Sequence, residues 1–191
     1  MKKVFLFVSI SLVSSAGFHL FAQMDENAQK AWMAYMTPGD IHKMLAKFDG
    51  QWKESVTLWM APNQPPVTST ATCTNTMIMG GRYQQSISKG DMMGMPFEGM
   101  SLLGYDNAEK TFIYTWIDNM GTGTMVMKGI WDGANKSINL SGSVVDPISG
   151  KEMPVREVFT VTDDNNQFLQ MFAAGPDGKE FKNMEIKFTR M

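Results

Sequence analysis

The sequence is poor in cysteine and histidine, with one cysteine and two histidines among 191 residues. A single thiol, Cys73, cannot form a disulfide within the chain, so a hydrophobic core must hold the fold together. A lone cysteine is either a reactive thiol or a buried, unreactive side chain, and we expect Cys73 to point inward and be buried. Only His42 lies beyond the first 22 residues. Haem binding and histidine-based catalysis therefore lack their usual residues.

The sequence also lacks a long hydrophobic run. Its one mainly apolar segment, residues 4–13, follows two lysines and precedes a cleavage-site pattern that ends at Ala22. This order predicts a secretory signal peptide over residues 1–22, and the apolar segment is too short to span a bilayer. We therefore expect an exported protein, periplasmic or secreted, with no membrane-spanning segment after cleavage.

An excess of positive charge is missing as well. Removal of Lys2 and Lys3 with the signal peptide leaves 15 of the 17 basic residues against 19 acidic ones, so the net charge changes from −2 to −4. A mildly acidic surface predicts no nucleic-acid partner and no attraction to anionic membranes. Methionine is abundant instead, with 19 residues in the chain.

The pattern of polar and apolar residues divides the remaining chain into two parts. Residues 23–36 predict a flexible arm or a short helix, and residues 37–191 predict one domain. Thr37 and Pro38 suit the start of a helix. Apolar residues then recur at helical spacing over residues 41–48, so we expect one face of this helix to pack against the domain.

From Trp52 onward the apolar period changes to two, which indicates strands. Turn signals rich in glycine, aspartate and asparagine recur about every ten residues, which predicts about ten strands. Short hairpins between them leave no room for a crossover helix, so the sheet must be antiparallel. We predict an all-β fold, an up-and-down barrel of about ten strands with a short N-terminal helix. Ten strands enclose more space than side chains readily fill, so we also expect a lumen.

One motif lies between the predicted helix and the first strand. Gly50, Gln51 and Trp52 form a G-x-W sequence that resembles the signature of the calycin superfamily, which includes the lipocalins and fatty-acid-binding proteins. The resemblance implies a basic residue of the last strand packed across this tryptophan. Arg190 has the same parity as the apolar residues of the last strand, so we predict that it contacts Trp52.

A larger set of motifs runs from residue 37 to about residue 129. It comprises Thr37-Pro38-Gly39 leading to His42 and Leu45, Gly50-x-Trp52, Gly80-Gly81-Arg82-Tyr83, Pro96-Phe97-Glu98-Gly99, Gly104-Tyr105-Asp106, Trp116-Ile117-Asp118 and Gly121-Thr122. In order and spacing these motifs resemble DUF1579, a family of bacterial proteins of unknown function. The chain is similar, more distantly, to the nitrobindin-type haem barrels. The family resemblance implies a calycin-like barrel and no established activity.

Aromatic side chains with a few polar groups among them predict a small-molecule site inside the barrel. Arg82 is the predicted contact for an anionic head group, or alternatively one half of an ion pair at the barrel rim with Glu98 or Asp118. The predicted ligand-binding residues are Arg82, Tyr83, Glu98, Tyr114, Trp116 and Asp118.

We therefore predict that the barrel binds a small, partly apolar ligand, without a catalytic set, a metal site or a cofactor. The alternative is a structural or interaction barrel that its own methionine and aromatic side chains fill. A third hypothesis is acid–base chemistry at Glu98 and Asp118, or binding of Cu(I) by methionine thioethers. The methionines concerned are Met92, Met93, Met95 and Met100.

Overall fold

The computed structural model describes residues 25–175 and 178–191. The predicted signal peptide, residues 1–22, lies outside the described residues and stays a prediction. The described chain begins with helix α1, Glu26–Met36, and the Asp25 carboxylate caps its first turn through a 2.9 Å hydrogen bond from a backbone amide. Within these described ranges, no helix has the length and apolar character needed to cross a membrane.

A second short helix and ten strands follow. Each strand pairs antiparallel with its neighbours in sequence, and β1 pairs with β10, so the sheet closes on itself and leaves no open edge. The structure confirms the predicted all-β, ten-stranded antiparallel barrel with a short N-terminal helix. The elements are α2 Asp40–Ala46, β1 Gly50–Leu58, β2 Val67–Ile78, β3 Tyr83–Met92, β4 Met95–Asp106, β5 Thr111–Asp118, β6 Met125–Asp132, β7 Ser137–Val145, β8 Glu152–Asp163, β9 Asn166–Ala174 and β10 Glu180–Arg190.

The closing contact joins Trp52 of β1 to Arg190 of β10, which lie opposite each other in the register. The Arg190 guanidinium carbon lies 4.3 Å from the centre of the Trp52 ring. The same guanidinium donates hydrogen bonds to the backbone carbonyls of Lys47 at 2.6 Å, Asp49 at 2.8 Å and Asp164 at 3.0 Å. The predicted contact between Trp52 and Arg190 is therefore confirmed, and it fastens the last strand to the chain segment between α2 and β1.

Helix α2 lies at the end of the barrel where β1 begins, which we call the covered end. The carbonyl of Leu45 accepts a 2.8 Å hydrogen bond from the Gln84 side-chain amide. The carbonyl of Phe48 accepts hydrogen bonds from the Trp52 indole at 2.9 Å and from the Asn75 amide at 3.1 Å. Side chains of three strands thus bind carbonyls in and just after the last turn of α2 and hold this end of the helix against the barrel.

The side chains at the covered end form the packed core. Aromatic rings meet there in two sets of contacts. In the first, Phe159 contacts both Phe48 and Phe188, and in the second Tyr105 contacts Phe112. The largest completely buried side chains are Trp52, Phe112, Leu45, Met127 and Ile138. Burial of such large apolar surfaces is the main stabilising contribution to a fold of this kind.

The opposite end, where β1 ends and β2 begins, is the open end, and packing loosens toward it. Leu103, Tyr114, Met171 and Ile186 stand in the middle of their strands on the inward face, yet each is only half-buried. Several inward side chains nearer the open end are half-buried too, among them Met125, Val144 and Met153, although Val155 and Ala173 there are buried. We call the part of the interior between the packed core and the open end the lumen.

Candidate functional site

Three of the six predicted ligand-binding residues share the inward face of β5. Tyr114, Trp116 and Asp118 alternate with outward-facing side chains, and register places them opposite inward residues of β4. Tyr114 lies deepest, and Asp118 ends the strand at the open end. The structure therefore brings these three together as one line of side chains along the lumen wall.

The other three predicted residues do not face the lumen. Tyr83 points outward, and its ring covers the outer surface of Gly104. Glu98 also points outward and forms a 3.0 Å ion pair with Lys89 on the neighbouring strand. Arg82 lies in the turn before β3 and donates a 3.1 Å hydrogen bond to the carbonyl of Met79. The expectation that all six line the lumen fails for these three, because the alternation of the strands turns them outward or leaves them in a turn.

These positions also bear on two alternative hypotheses, the rim ion pair of Arg82 and the acid–base pair of Glu98 and Asp118. Arg82 lies at the covered end and Asp118 at the open end, so they cannot form one rim ion pair. Glu98 and Asp118 lie on opposite faces of the barrel wall, so they do not form an acid–base pair around one substrate. The six residues therefore do not form one site, and ligand contact by those that face the lumen stays a prediction.

Trp116 is held in place near the open end by three neighbours. Its ring stacks on Phe97 at a centroid distance of 6.3 Å, and its indole nitrogen donates a 2.7 Å hydrogen bond to Asp118. Gly99 lies directly beneath the ring, so that a Cβ there would stand 2.3 Å and 2.5 Å from two ring carbons. The absence of a side chain at Gly99 is what permits Trp116 to lie flat against the wall.

Replacement of Gly99 by alanine is expected to lower the free energy of unfolding by about 1–3 kcal/mol, the usual range for overpacking. The added methyl group must push Trp116 away from Phe97 and from Asp118. Urea denaturation measures the loss, and near-ultraviolet circular dichroism reports the displaced indole. Gly123→Ala is the control, because a Cβ there meets open space. Equal effects of the two variants would contradict this explanation.

The lumen also contains a polar group of residues that the sequence analysis missed. Glu54 of β1 is 4% exposed and accepts a 2.9 Å hydrogen bond from the Ser88 hydroxyl. Beside it, the buried thiol of Cys73 donates to the Asn75 side-chain oxygen at 3.1 Å. Burial raises the pKa of Glu54, and the hydrogen bond from Ser88 is the largest effect that opposes that rise.

Cys73 is inward and buried, as expected from the alternation of β2. Burial, with a further contribution from the charge of Glu54, raises the pKa of its thiol to about 12. The thiolate is the reactive form of cysteine, and it is scarcely populated at such a pKa. Cys73 is therefore a packing and hydrogen-bonding residue rather than a reactive thiol.

A second inward carboxyl belongs to Glu157 of β8, which is 3% exposed. Burial raises the pKa of Glu157 to about 8. Within the described part of the chain, no group forms a hydrogen bond or an ion pair with this carboxyl, whereas Glu54 has Ser88. A buried polar group without a partner is unusual in a folded protein and calls for an explanation.

The pKa of the Tyr114 hydroxyl responds to the charges of both acids, Glu54 and Glu157. Tyr114 stands on the inward face of β5, where it is half-buried and packs against the core. Burial raises the pKa of its hydroxyl well above the usual value, with the charge of Glu157 as the next cause and smaller contributions from Cys73 and Glu54. Tyr114 is thus the one predicted ligand-binding residue that belongs to the same group as the missed acids.

Strand parity carries a signal for both missed acids. Glu54 has the same parity as the inward Trp52 and Val56 on β1. Glu157 likewise shares its face of β8 with the inward Val155 and Phe159. Parity alone therefore places both carboxyls inside the barrel. The general preference of carboxylates for the surface points the other way.

The methionines of the copper hypothesis lie on and around the β3–β4 hairpin, and the histidine has a capping role. Met93 and Met95 are exposed, and Met100 faces outward, where its sulfur accepts a 3.4 Å hydrogen bond from Gln85. His42 accepts a 3.1 Å hydrogen bond at Nδ1 from the Gly39 amide and so caps α2. Across the residues that the structure describes, no three His, Cys, Asp or Glu side chains form a group able to hold a metal ion.

The chain is similar to one protein family and to solved barrel structures. A family model described as a protein of unknown function (DUF1579) matches residues 37–190. The crystal structure of Rv2717c from M. tuberculosis superposes with a TM-score of 0.62 at 12% sequence identity, over 81% of this chain and 99% of that one. A redesigned β-barrel gives a TM-score of 0.40 at 12% identity, over 77% and 94%. No curated protein matches the sequence. At such identities the structural likeness shows the fold alone.

Proposed function

The chain belongs to the DUF1579 family of proteins of unknown function, and from this premise and the geometry of its barrel we propose that it binds a small, partly apolar ligand in the lumen. One observation carries the proposal. Inward side chains in the middle of the barrel, such as Tyr114 and Ile186, are only half-buried, whereas Trp52, Phe112 and Leu45 at the covered end are completely buried. An interior space lined by apolar walls with a few polar groups is the usual form of a small-molecule site.

The contents of the barrel favour this proposal over a structural barrel that fills its own core. The covered end is filled by rings such as Phe48 and Phe112, as a self-filled barrel requires. The lumen beyond it contains instead the hydroxyl of Tyr114 and the carboxyls of Glu54 and Glu157. Polar groups at such positions weaken a purely structural core, because their desolvation is unfavourable unless they are paired.

The lumen proposal predicts saturable binding of a neutral, environment-sensitive dye such as Nile red, with one dye per chain. Ser69→Trp is expected to weaken binding at least tenfold, because Ser69 is a half-buried inward residue opposite Val56 and a tryptophan there occupies the lumen. Thr70→Trp is the matched control, since Thr70 is the next residue and points outward. Fluorescence titration measures both affinities.

Two results would overturn the proposal. The first is the absence of saturable binding for the dye and for any co-purified small molecule in native mass spectrometry. The second is equal dye affinity for Ser69→Trp and the unmodified protein, because the dye would then lie outside the lumen. Thermal unfolding of each variant identifies any loss of binding that comes from misfolding.

A further inference from the structure

We infer that the ligand of the lumen carries a protonated amine, and that the Glu157 carboxyl is the group that binds it. This inference rests on the proposed function, since it names the chemistry of the same site. It starts from Glu157, an inward side chain that is 3% exposed and has no hydrogen-bond partner in the described protein, and it uses the charges of the whole inward face to choose the ligand.

Glu157 differs from every other carboxyl of the described chain in its surroundings. It is 3% exposed, and its inward neighbours on the adjacent strands are Leu140 of β7 and Met171 of β9, which supply no hydrogen bond. Glu54, the other buried acid, has the Ser88 hydroxyl at 2.9 Å. Without a partner this carboxyl keeps its proton, and it would ionise in the barrel only beside a cation, which the described protein does not supply.

The charges of the inward face indicate the sign of that partner. Over the described parts of the ten strands, the inward positions contain three acids, Glu54, Asp118 and Glu157, and neither lysine nor histidine. Their one arginine, Arg190, lies at the covered end, where three backbone carbonyls and the Trp52 ring hold it. A cation entering the lumen meets only acids and neutral groups, whereas an anion meets no basic partner.

The apolar side chains near Glu157, and the small number of possible metal ligands there, favour an organic amine over a metal ion. Inward side chains on the open-end side of Glu157, among them Met125, Val144 and Met153, are apolar and half-buried, and they favour an alkyl or aryl body behind the charge. A divalent metal ion prefers several oxygen ligands, and the described chain has no group of three acids, cysteines or histidines that could hold one. One ammonium group matches one carboxylate with a charge-assisted hydrogen bond.

Binding of the ammonium group must release a proton. At pH 7 the Glu157 carboxyl of the empty protein is mostly protonated, because its pKa is about 8. The incoming ammonium keeps its own proton and pairs with the carboxylate, so the carboxyl proton leaves to the solvent. Affinity should therefore rise about tenfold per pH unit below pH 8, following the ionised fraction of the carboxyl.

Other titrating groups face the same space and have to be separated from Glu157. Tyr114 of β5 and Cys73 of β2 have pKa values far above neutrality and stay uncharged between pH 6 and 9. Glu54 of β1 also has a raised pKa and could contribute a second proton. The variant Glu54→Gln therefore belongs in the experiment beside Glu157→Gln.

The test is calorimetric titration of the purified protein with octylamine, octanol and octanoate, which share one chain and differ in the head group. We expect octylamine to bind at least tenfold more tightly than the other two at pH 7. Titrations in buffers of different ionisation enthalpy should show release of close to one proton per octylamine. Glu157→Gln should weaken octylamine binding at least 30-fold, abolish proton release and leave octanol binding unchanged.

Glu98→Gln is the control, since it neutralises an outward carboxyl of the same type. Octanol or octanoate binding as tightly as octylamine, with no effect of Glu157→Gln, overturns the amine assignment and leaves the lumen proposal standing. Loss of octylamine binding in Glu54→Gln alone moves the site to Glu54 and overturns the assignment to Glu157. No binding of any of the three compounds contradicts both proposals.

Discussion

Replacement of Arg190 by methionine is expected to lower the free energy of unfolding by about 3–4 kcal/mol. The substitution removes the cation over the Trp52 ring, an interaction of about 1–2 kcal/mol when it is desolvated. It also removes charge-assisted hydrogen bonds to three carbonyls, of Lys47, Asp49 and Asp164. Urea denaturation followed by tryptophan fluorescence measures the change.

Arg156 offers a matched control for this prediction. Its guanidinium carbon lies 3.9 Å from the centre of the Phe172 ring, and it forms two hydrogen bonds with Glu180, at 2.6 Å and 3.2 Å. The pair is on the outer surface and exposed, so Arg156→Met should reduce stability by less than about 1 kcal/mol. A comparable loss in both variants would show that closure at Arg190 contributes nothing beyond an ordinary surface contact.

The closing contact was predictable from sequence because the end of β10 alternates regularly. Met184, Ile186 and Phe188 fix the inward face, and Arg190 follows in the same phase. A bulge lies just before this run, between Lys182 and Met184. Counting that began before the bulge would have placed Arg190 on the wrong face, so the prediction depended on residues after the irregularity.

The faces of Glu98 and Tyr83 could not be predicted in the same way. On β4 the inward residues that follow Glu98 are Gly99, which has no side chain, and the small Ser101, while the outward Met100 and Leu102 are apolar. Hydrophobic alternation therefore points to the wrong face. Tyr83 begins β3 after a turn of two glycines with positive φ, and no alternation precedes it to set its phase.

The missed acids illustrate the opposite difficulty. Glu54 and Glu157 stand at positions that strand parity places inside, but a carboxylate inside a barrel contradicts the usual distribution of charge. Sequence reasoning therefore favours carboxyls near aromatic motifs, such as Glu98, over carboxyls in regular strands. A charged residue at an inward position of an otherwise regular strand is therefore a useful marker of a candidate site. A buried acid without a partner lowers the stability of the fold, so its presence calls for another explanation.

The variant Glu157→Gln is expected to change the pH dependence of stability more than any other single substitution. Burial raises the folded-state pKa of Glu157 from 4.5 to about 8. Between these two values the unfolded chain is ionised at this position and the folded chain is protonated, so the free energy of unfolding falls as pH rises. One pKa unit corresponds to about 1.4 kcal/mol, so the full loss reaches about 4–5 kcal/mol above pH 8.

Urea denaturation at pH 4, 6, 7 and 9 measures this effect. At pH 4 the carboxyl is protonated in both states, and Glu157→Gln should match the unmodified protein within about 1 kcal/mol. At pH 9 the variant should be more stable by about 4 kcal/mol, because the amide never ionises inside the barrel. Glu98→Gln, an exposed carboxyl paired with Lys89, should leave the pH dependence unchanged.

Glu54 limits how much of the pH dependence of stability the Glu157→Gln substitution can remove. Burial raises its pKa in the same direction, so a smaller decline of stability with pH should remain in Glu157→Gln and disappear when Glu54→Gln is added. An unchanged decline in Glu157→Gln would show that a group outside the lumen titrates instead. If the decline follows Glu157, a bound amine must relieve it, since pairing lowers the pKa of the carboxyl. Octylamine should then raise the unfolding temperature more at pH 8 than at pH 5.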